Sequence, residues 1–265
     1  MMTSHMNSSR LAITGANSRT GQQILAELHG DAVALVRRSG RVDAATVITD
    51  WTTSTAAETA LGQVDAVAHL AGNFGAPHWE DYLAGTVETT RRVADSVGEG
   101  TRIVYLSQLG ADSSAENWYE RAKGMAEEIL APMNATVFRI SAIVGGRDNP
   151  QPFDFMVRGG TDGDPVPIAG DGSQVFRPIH IDDVVTAILL ATRPGAPSGV
   201  FDLVGPQQHT MQEWVDIAHG GPTPTTRRDD LPPAIDDLLA NPVTPGDPTA
   251  LLAAFPELQL TDWRP

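Results

Sequence analysis

The chain has 265 residues, 41% of them hydrophobic, with 25 glycines and 19 prolines. That length and composition suit one large α/β domain, or one domain with a small appendage, and exclude a disordered chain. A formal charge of −15 argues against nucleic acid as a partner. The absence of cysteine excludes a disulfide framework, a cysteine-ligated metal and a thiol nucleophile.

No apolar run is long enough to cross a bilayer, so no membrane partner is expected, and the default location is the cytoplasm. Residues 1–9 lack the apolar core of a signal peptide and are read as a flexible leader outside the fold. No metal site is assigned.

In chain order, Leu11–Thr14 reads as a short buried strand, followed by Gly15 and a helix over 21–29. Apolar runs at 32–36 and 47–49 give the next two strands. A short helix at 56–61 precedes a strand at 65–70, and 81–97 is helical in pattern. Strands at 102–106 and 135–140 flank a helix at 119–130. Strands alternating with helices imply a parallel sheet covered on both faces, and right-handed crossovers make it doubly wound. The fold class is therefore an α/β Rossmann fold, with residues 10–144 as its dinucleotide-binding core. From 145 the texture turns rich in Gly, Asp and Pro. A helix at about 182–192 and a strand at 200–204 follow, then a proline-rich tail. Residues 145–265 are read as sheet completion plus a small substrate-side lobe.

The first strand-to-helix turn is Thr14-Gly-Ala-Asn-Ser-Arg-Thr-Gly21. Glycine permits a tight turn and close helix packing, and the helix N-terminus offers free N–H groups to a pyrophosphate. Gly15, Asn17, Ser18, Arg19, Thr20 and Gly21 are the candidate phosphate-binding residues. Ser18 stands where the usual spacing has a glycine. The second strand ends at Val36-Arg37-Arg38. An acidic residue there would bind the 2′-hydroxyl of NAD, whereas arginine suits the 2′-phosphate of NADP. The expected cofactor is NADP(H).

Of the 18 basic residues, 17 are arginine and one is lysine, Lys123. Arginine cannot replace lysine where a compact ammonium with a tunable pKa is needed. Tyr119 lies four residues before Lys123, so the two share one helix face. With 3 tyrosines in 265 residues, a lone lysine falls at that spacing by chance in roughly 1 case in 90. A nearby ammonium favours ionised tyrosine, which can then exchange a proton with a substrate oxygen. Ser107 follows the fifth strand and is the expected third polar group. Gln108 is its neighbour, and either one could point into the cleft.

These blocks resemble the short-chain dehydrogenase/reductase superfamily, in its extended or atypical branch, which includes nucleotide-sugar epimerases and NmrA-like proteins. The resemblance runs from about residue 10 to 217 and rests on TGANSRTG, ALVRR at 34–38, VDAVAHLAG at 64–72, IVYLSQLGAD at 103–112, YERAKGMAEEIL at 119–130, FRISAIVGG at 138–146 and FRPIHIDDVVTAIL at 176–189. It implies Tyr119, Lys123 and Ser107 as catalytic residues, with Lys123 also on the cofactor ribose. It places Leu70, Ala71 and Gly72 under the nicotinamide ribose and Asp50 by the adenine. Gln108 and Arg177 are candidate substrate contacts, and His180, Asp182 and Asp183 are candidate caps of the following helix, with the aspartates favoured. Relatives commonly have proline where Ile140 stands and tyrosine where Val144 stands.

The expected function is NADPH-dependent reduction of a carbonyl or conjugated alkene on a small molecule. The alternatives are a nucleotide-sugar epimerase or dehydratase and a non-catalytic NADP(H) sensor. The C-terminal part is short and lacks an obvious cluster for a second diphosphate. Relatives often pair through the helices near 81–97 and 119–130, so a homodimer is expected by analogy. Substrate choice is expected to rest on the loops near 73–82, 108–118 and 145–175.

Overall fold

The structure is a computed structural model and describes residues 10–40, 42–146, 151–159 and 164–264. The expected leader, and 147–150 and 160–163 of the third specificity loop, lie outside the described residues.

The chain opens with β1 (Leu11–Thr14), α1 (Arg19–Glu27), β2 (Val33–Leu35), β3 (Thr46–Ile48), α2 (Thr55–Leu61) and β4 (Ala66–His69). The following helix begins as α3 (Trp79–Tyr82), passes through a π-helical turn at Leu83–Val87 and continues as α4 (Glu88–Ser96). Gly85 sits in that turn because a Cβ there would come within 2.4 Å of the Asn73 side chain. Next come β5 (Arg102–Gln108), α5 (Trp118–Leu130) and β6 (Thr136–Ile140). Short elements follow: β7 (Ile143–Val144), α6 (Pro152–Arg158), β8 (Val166–Ile168), β9 (Val175–Phe176) and β10 (Ile179–His180). The chain continues with α7 (Ile181–Ala191), β11 (Gly199–Leu203), β12 (His209–Thr210), α8 (Met211–His219), β13 (Thr225–Arg227), α9 (Pro233–Ala240) and α10 (Thr249–Ala254).

Seven strands form one parallel sheet in the order β11-β6-β5-β4-β1-β2-β3. This is a Rossmann sheet: the chain winds outward from β1 through β3, then returns to start the other half at β4. Open α/β sheets bind ligands at that switch point, outside the carboxyl ends of the strands.

Strand alternation divides the core. Leu11 and Ile13 of β1 pack with α1, α7 and α10, while Ala12 packs on the opposite face with α2, α4 and α5. Val104 and Tyr105 of β5 divide the same way. Each fully buried side chain such as Ile13 or Ile24 contributes roughly 1.5–3 kcal/mol. A separate apolar cluster around Phe153, Phe176, Trp214 and Trp263 holds the C-terminal lobe together, and β11 returns from that half of the chain to complete the sheet.

Two helix-start expectations change. His180, not an aspartate, caps α7: its ring accepts from the Asp182 N–H at 3.3 Å. Asp183 is buried and instead accepts from Thr261, N–H at 2.7 Å and hydroxyl at 2.8 Å, tying the C-terminal segment to α7.

Candidate active site

The phosphate turn sits at the switch point. Gly15 takes φ +66 and lies against the end of β4, where a Cβ would meet the Ala71 nitrogen at 3.1 Å. At Gly21 a Cβ would lie 2.7 Å from Ala16 Cα, so the first turn of α1 closes only around a bare glycine. Ser18 is the N-cap, and its hydroxyl accepts from the Gly21 N–H at 3.0 Å. A serine in place of the usual glycine thus serves the helix start. Thr20 and Gly21 are buried while Asn17, Ser18 and Arg19 face solvent, as a phosphate cradle requires.

A buried network that the sequence reading did not identify fixes the two strand ends. Thr90 donates to the Thr86 carbonyl at 2.7 Å, so its oxygen accepts from His69 Nε2 at 2.9 Å. The His69 Nδ1 then accepts from the Thr14 hydroxyl at 2.7 Å, and that oxygen accepts from the Ala71 N–H at 3.1 Å. Burial, with Lys123 nearby, lowers the His69 pKa to about 3, so the ring stays neutral and acts as a brace. Thr14 and His69 are register partners of the β1–β4 pair, which is the signal that could have linked them.

The brace holds Leu70, Ala71 and Gly72 against the phosphate turn, and a Cβ on Gly72 would approach Lys123 Nζ to 3.3 Å. Bare backbone on both sides of the crevice, the N-terminus of α1 and a lysine at its inner end fit a dinucleotide. Arg37 and Arg38 are exposed at the end of β2, and Arg37 donates to Asn73 Oδ1 at 3.0 Å, linking the loops after β2 and β4. Asp50 follows β3, exposed and with φ +49.

Helix α5 begins at Asn117, whose side chain accepts from the Tyr119 N–H at 2.9 Å, and it presents Tyr119 and Lys123 on one face. Both are buried, at 9% and 4% exposure. Tyr119 lies 5.1 Å edge-on from Phe74 and 6.3 Å from Tyr82, measured between ring centroids. No hydrogen bond from the described residues reaches its hydroxyl. Burial and the neighbouring Tyr82 raise its pKa well above the ordinary value. Lys123 donates to the Leu106 carbonyl at 2.7 Å and lies 4.7 Å over the Tyr105 ring. Burial lowers its pKa to about 8, against a smaller opposing pull from Glu127.

Tyr119 opens on a cavity of about 390 Å³ whose lining is mostly apolar, including Phe74, Leu109, Ile143, Phe153, Met156 and Phe176. Gln108 and Glu120 line it too. Ser107 does not. Its hydroxyl donates to Glu127 Oε1 at 2.5 Å, and Glu127 is paired to Arg139 at 2.6 Å, so the serine is committed to an internal network. Of the two neighbours, Gln108 is the one on the cavity wall. Arg177 is also redirected. It donates to Gln208 Oε1 and, at 3.4 Å, to the Pro206 carbonyl, and does not line the cavity.

A model of the NAD dependent epimerase/dehydratase family matches residues 11–203. The chain belongs to that family. Family membership agrees with the resemblance to extended short-chain dehydrogenases/reductases. Among solved structures, the Bordetella bronchiseptica enzyme WbmG in complex with NAD and UDP superposes with a TM-score of 0.75, at 16% identity over 98% of this chain and 91% of that one. UDP-glucuronic acid 4-epimerase from Bacillus cereus, in complex with UDP-glucuronic acid and NAD, gives 0.73 at 15% identity, covering 95% and 94%. At such identities the likeness concerns the fold. Subunit 9 of the NADH dehydrogenase [ubiquinone] 1 alpha subcomplex, mitochondrial, of Arabidopsis thaliana is 31% identical over 148 residues, 53% of this chain. That match spans only 36% of the relative's length. No helix of the described residues is long and apolar enough to cross a membrane.

Proposed function

We propose that the protein binds NADP(H) and moves a proton and a hydride at one carbonyl or carbinol carbon of a small, largely apolar molecule. The observation that carries this reading is Tyr119 on the wall of an apolar cavity, with Lys123 one turn further along α5 beside the end of β4. In this reading Gly15, Asn17, Ser18, Arg19, Thr20 and Gly21 hold the pyrophosphate. Leu70, Ala71, Gly72 and Lys123 hold the nicotinamide ribose, and Asp50 lies by the adenine. Arg37 and Arg38 hold the 2′-phosphate. The solved neighbours carry NAD, so the preference for NADP rests on these two arginines.

Bound there, the dinucleotide supplies or accepts the hydride. Tyr119 moves the proton. Its raised pKa keeps the phenol protonated and ready to donate to a carbonyl oxygen. The Lys123 ammonium then stabilises the phenolate until solvent returns a proton. Gln108 offers its amide to the same substrate oxygen, and the apolar walls exclude water.

Family membership and the epimerase neighbours favour a second reading over a reductase with net cofactor turnover. There Tyr119 first takes the proton of a carbinol and later returns it, and the cofactor ends as it began. The cavity suits a nucleotide sugar poorly, because Arg228, the one cation among its described lining residues, is paired with Asp230. The test is to titrate NADPH and NADH by nicotinamide fluorescence, then supply aryl and alkyl ketones with 4-deuterated NADPH. Net oxidation with deuterium in the product indicates a reductase. Inversion of a chiral secondary alcohol supplied with NADP+, with no net formation of NADPH, indicates an epimerase. Failure to bind either dinucleotide overturns both readings.

A further inference from the structure

The cavity wall carries an ionisable group that the proposed chemistry leaves unused. Glu120, next to Tyr119, is only 8% exposed and lines the same cavity. Its N–H is taken by Asn117 Oδ1 at 3.4 Å, but no donor among the described residues reaches its carboxylate. Gly110, with φ +81, lies against it: a Cβ there would stand 2.4 Å from Glu120 Oε1, so the loop after β5 is bare where the carboxylate sits.

The charges around it do not compensate it. Asp237 of α9 is a like charge, held by the Asn117 and Asn241 side-chain amides at 2.9 and 3.1 Å. Arg228, on the segment after β13, is already paired with Asp230. Apolar neighbours such as Leu109, Leu238 and Val243 complete the wall. A carboxylate buried without a cation is costly, and a carboxyl beside a second carboxylate more so. Consistent with this, burial and Asp237 push the Glu120 pKa up to about 7. A ligand cation would offset both effects, whereas a diphosphate would meet repulsion.

We infer that Glu120 is the recognition group for a substrate ammonium, so that the substrate is an amine on an otherwise apolar body, placing its carbonyl or carbinol at Tyr119. This rests on the reading of the cavity as the substrate site, and the test separates the two. Affinities of 3-phenylpropylammonium and its uncharged counterpart 3-phenylpropan-1-ol are measured by calorimetry for wild type, Glu120→Gln and Asp237→Asn, with NADPH binding followed in the same samples. Wild type should prefer the amine by about tenfold or more, and Glu120→Gln should lose that preference while binding the alcohol at least as well. Asp237→Asn, which keeps Glu120, should retain it.

Should Glu120→Gln fail to fold, wild type alone decides. Amine affinity should rise from pH 6 to pH 8 as Glu120 ionises, with the alcohol flat. Asp237 is the charge coupled to Glu120, and Tyr119 and Arg228, the latter paired with Asp230, are the other titratable groups on the same cavity. Wild type that binds neither probe, or shows no preference for the amine, overturns the inference, as does a Glu120→Gln protein that keeps the preference. If NADPH binds normally in those cases, the substrate assignment alone is wrong. If no dinucleotide binds wild type, the underlying enzyme reading fails.

Discussion

Replacing Lys123 by methionine should make the protein without cofactor more stable while weakening its hold on one. The ammonium is 4% exposed, with the Leu106 carbonyl as its hydrogen-bond acceptor and the Tyr105 ring beneath it. A fall in pKa from 10.5 to about 8, at about 1.4 kcal/mol per pKa unit, means that holding the charge costs roughly 3 kcal/mol. Methionine keeps most of the stem's packing and removes that cost. The Leu106 carbonyl loses its donor, a penalty of about 1 kcal/mol. The net gain at pH 7 is therefore about 2 kcal/mol, or roughly 4–8 °C in Tm for a chain of this size.

The pH dependence has a definite sign. Because the folded pKa is depressed, wild type gains stability as pH rises from about 8 towards 10.5 and loses it as pH falls through 8. The advantage of methionine should therefore shrink between pH 7 and pH 10. Thermal melts at pH 7, 8.5 and 10 measure this, and NADPH fluorescence measures the loss of affinity, expected to be about tenfold or more. Lys123→Arg keeps the charge but widens the head group, and should lose affinity and turnover as well. A methionine variant that melts below wild type at pH 7, or whose advantage is constant with pH, would refute the reasoning.

Tyr119→Phe should leave NADPH affinity unchanged and cut turnover by about 100-fold or more, read by steady-state kinetics. An unchanged rate would remove tyrosine from the chemistry, and an absence of any turnover in wild type with normal binding would favour a sensor. Ser18→Ala should cost about 1 kcal/mol in denaturant unfolding through loss of the α1 cap, and Ser18→Gly only a few tenths. Ser18→Leu should in addition block dinucleotide binding; normal binding in a folded Ser18→Leu protein would displace the cofactor from this turn. The double change Arg37→Ala, Arg38→Ala should erase a preference for NADPH over NADH in paired titrations, and equal affinities in wild type would show that no such preference exists.

The doubly wound sheet was legible because β1, β4, β5 and β6 are buried apolar runs separated by helical ones. The phosphate turn and the tyrosine–lysine pair were legible because their residues are adjacent on one local element. Contacts between elements were not. Ser107 and Gln108 differ by one residue, and strand alternation puts them on opposite faces. Where the Ser107 hydroxyl points depends on Glu127, twenty residues away. The His69 brace spans β1, β4 and α4, and Glu120 gains its character from burial and from Asp237 of α9. The stretch 145–175 was legible only as texture, since β7 to β10 are two or three residues long and carry no period. The expected helix over 81–97 came out with a π-helical turn, since Gly85 makes room for Asn73.

The most direct test of the central claim is a crystal structure with NADP+ bound. It should place the pyrophosphate on the turn Gly15–Gly21 and the nicotinamide C4 where a substrate carbon roughly 3–3.5 Å from it also reaches Tyr119. Lys123 Nζ should have moved from the Leu106 carbonyl to the ribose hydroxyls. A nicotinamide ring remote from Tyr119, with Lys123 still on Leu106, would contradict the account.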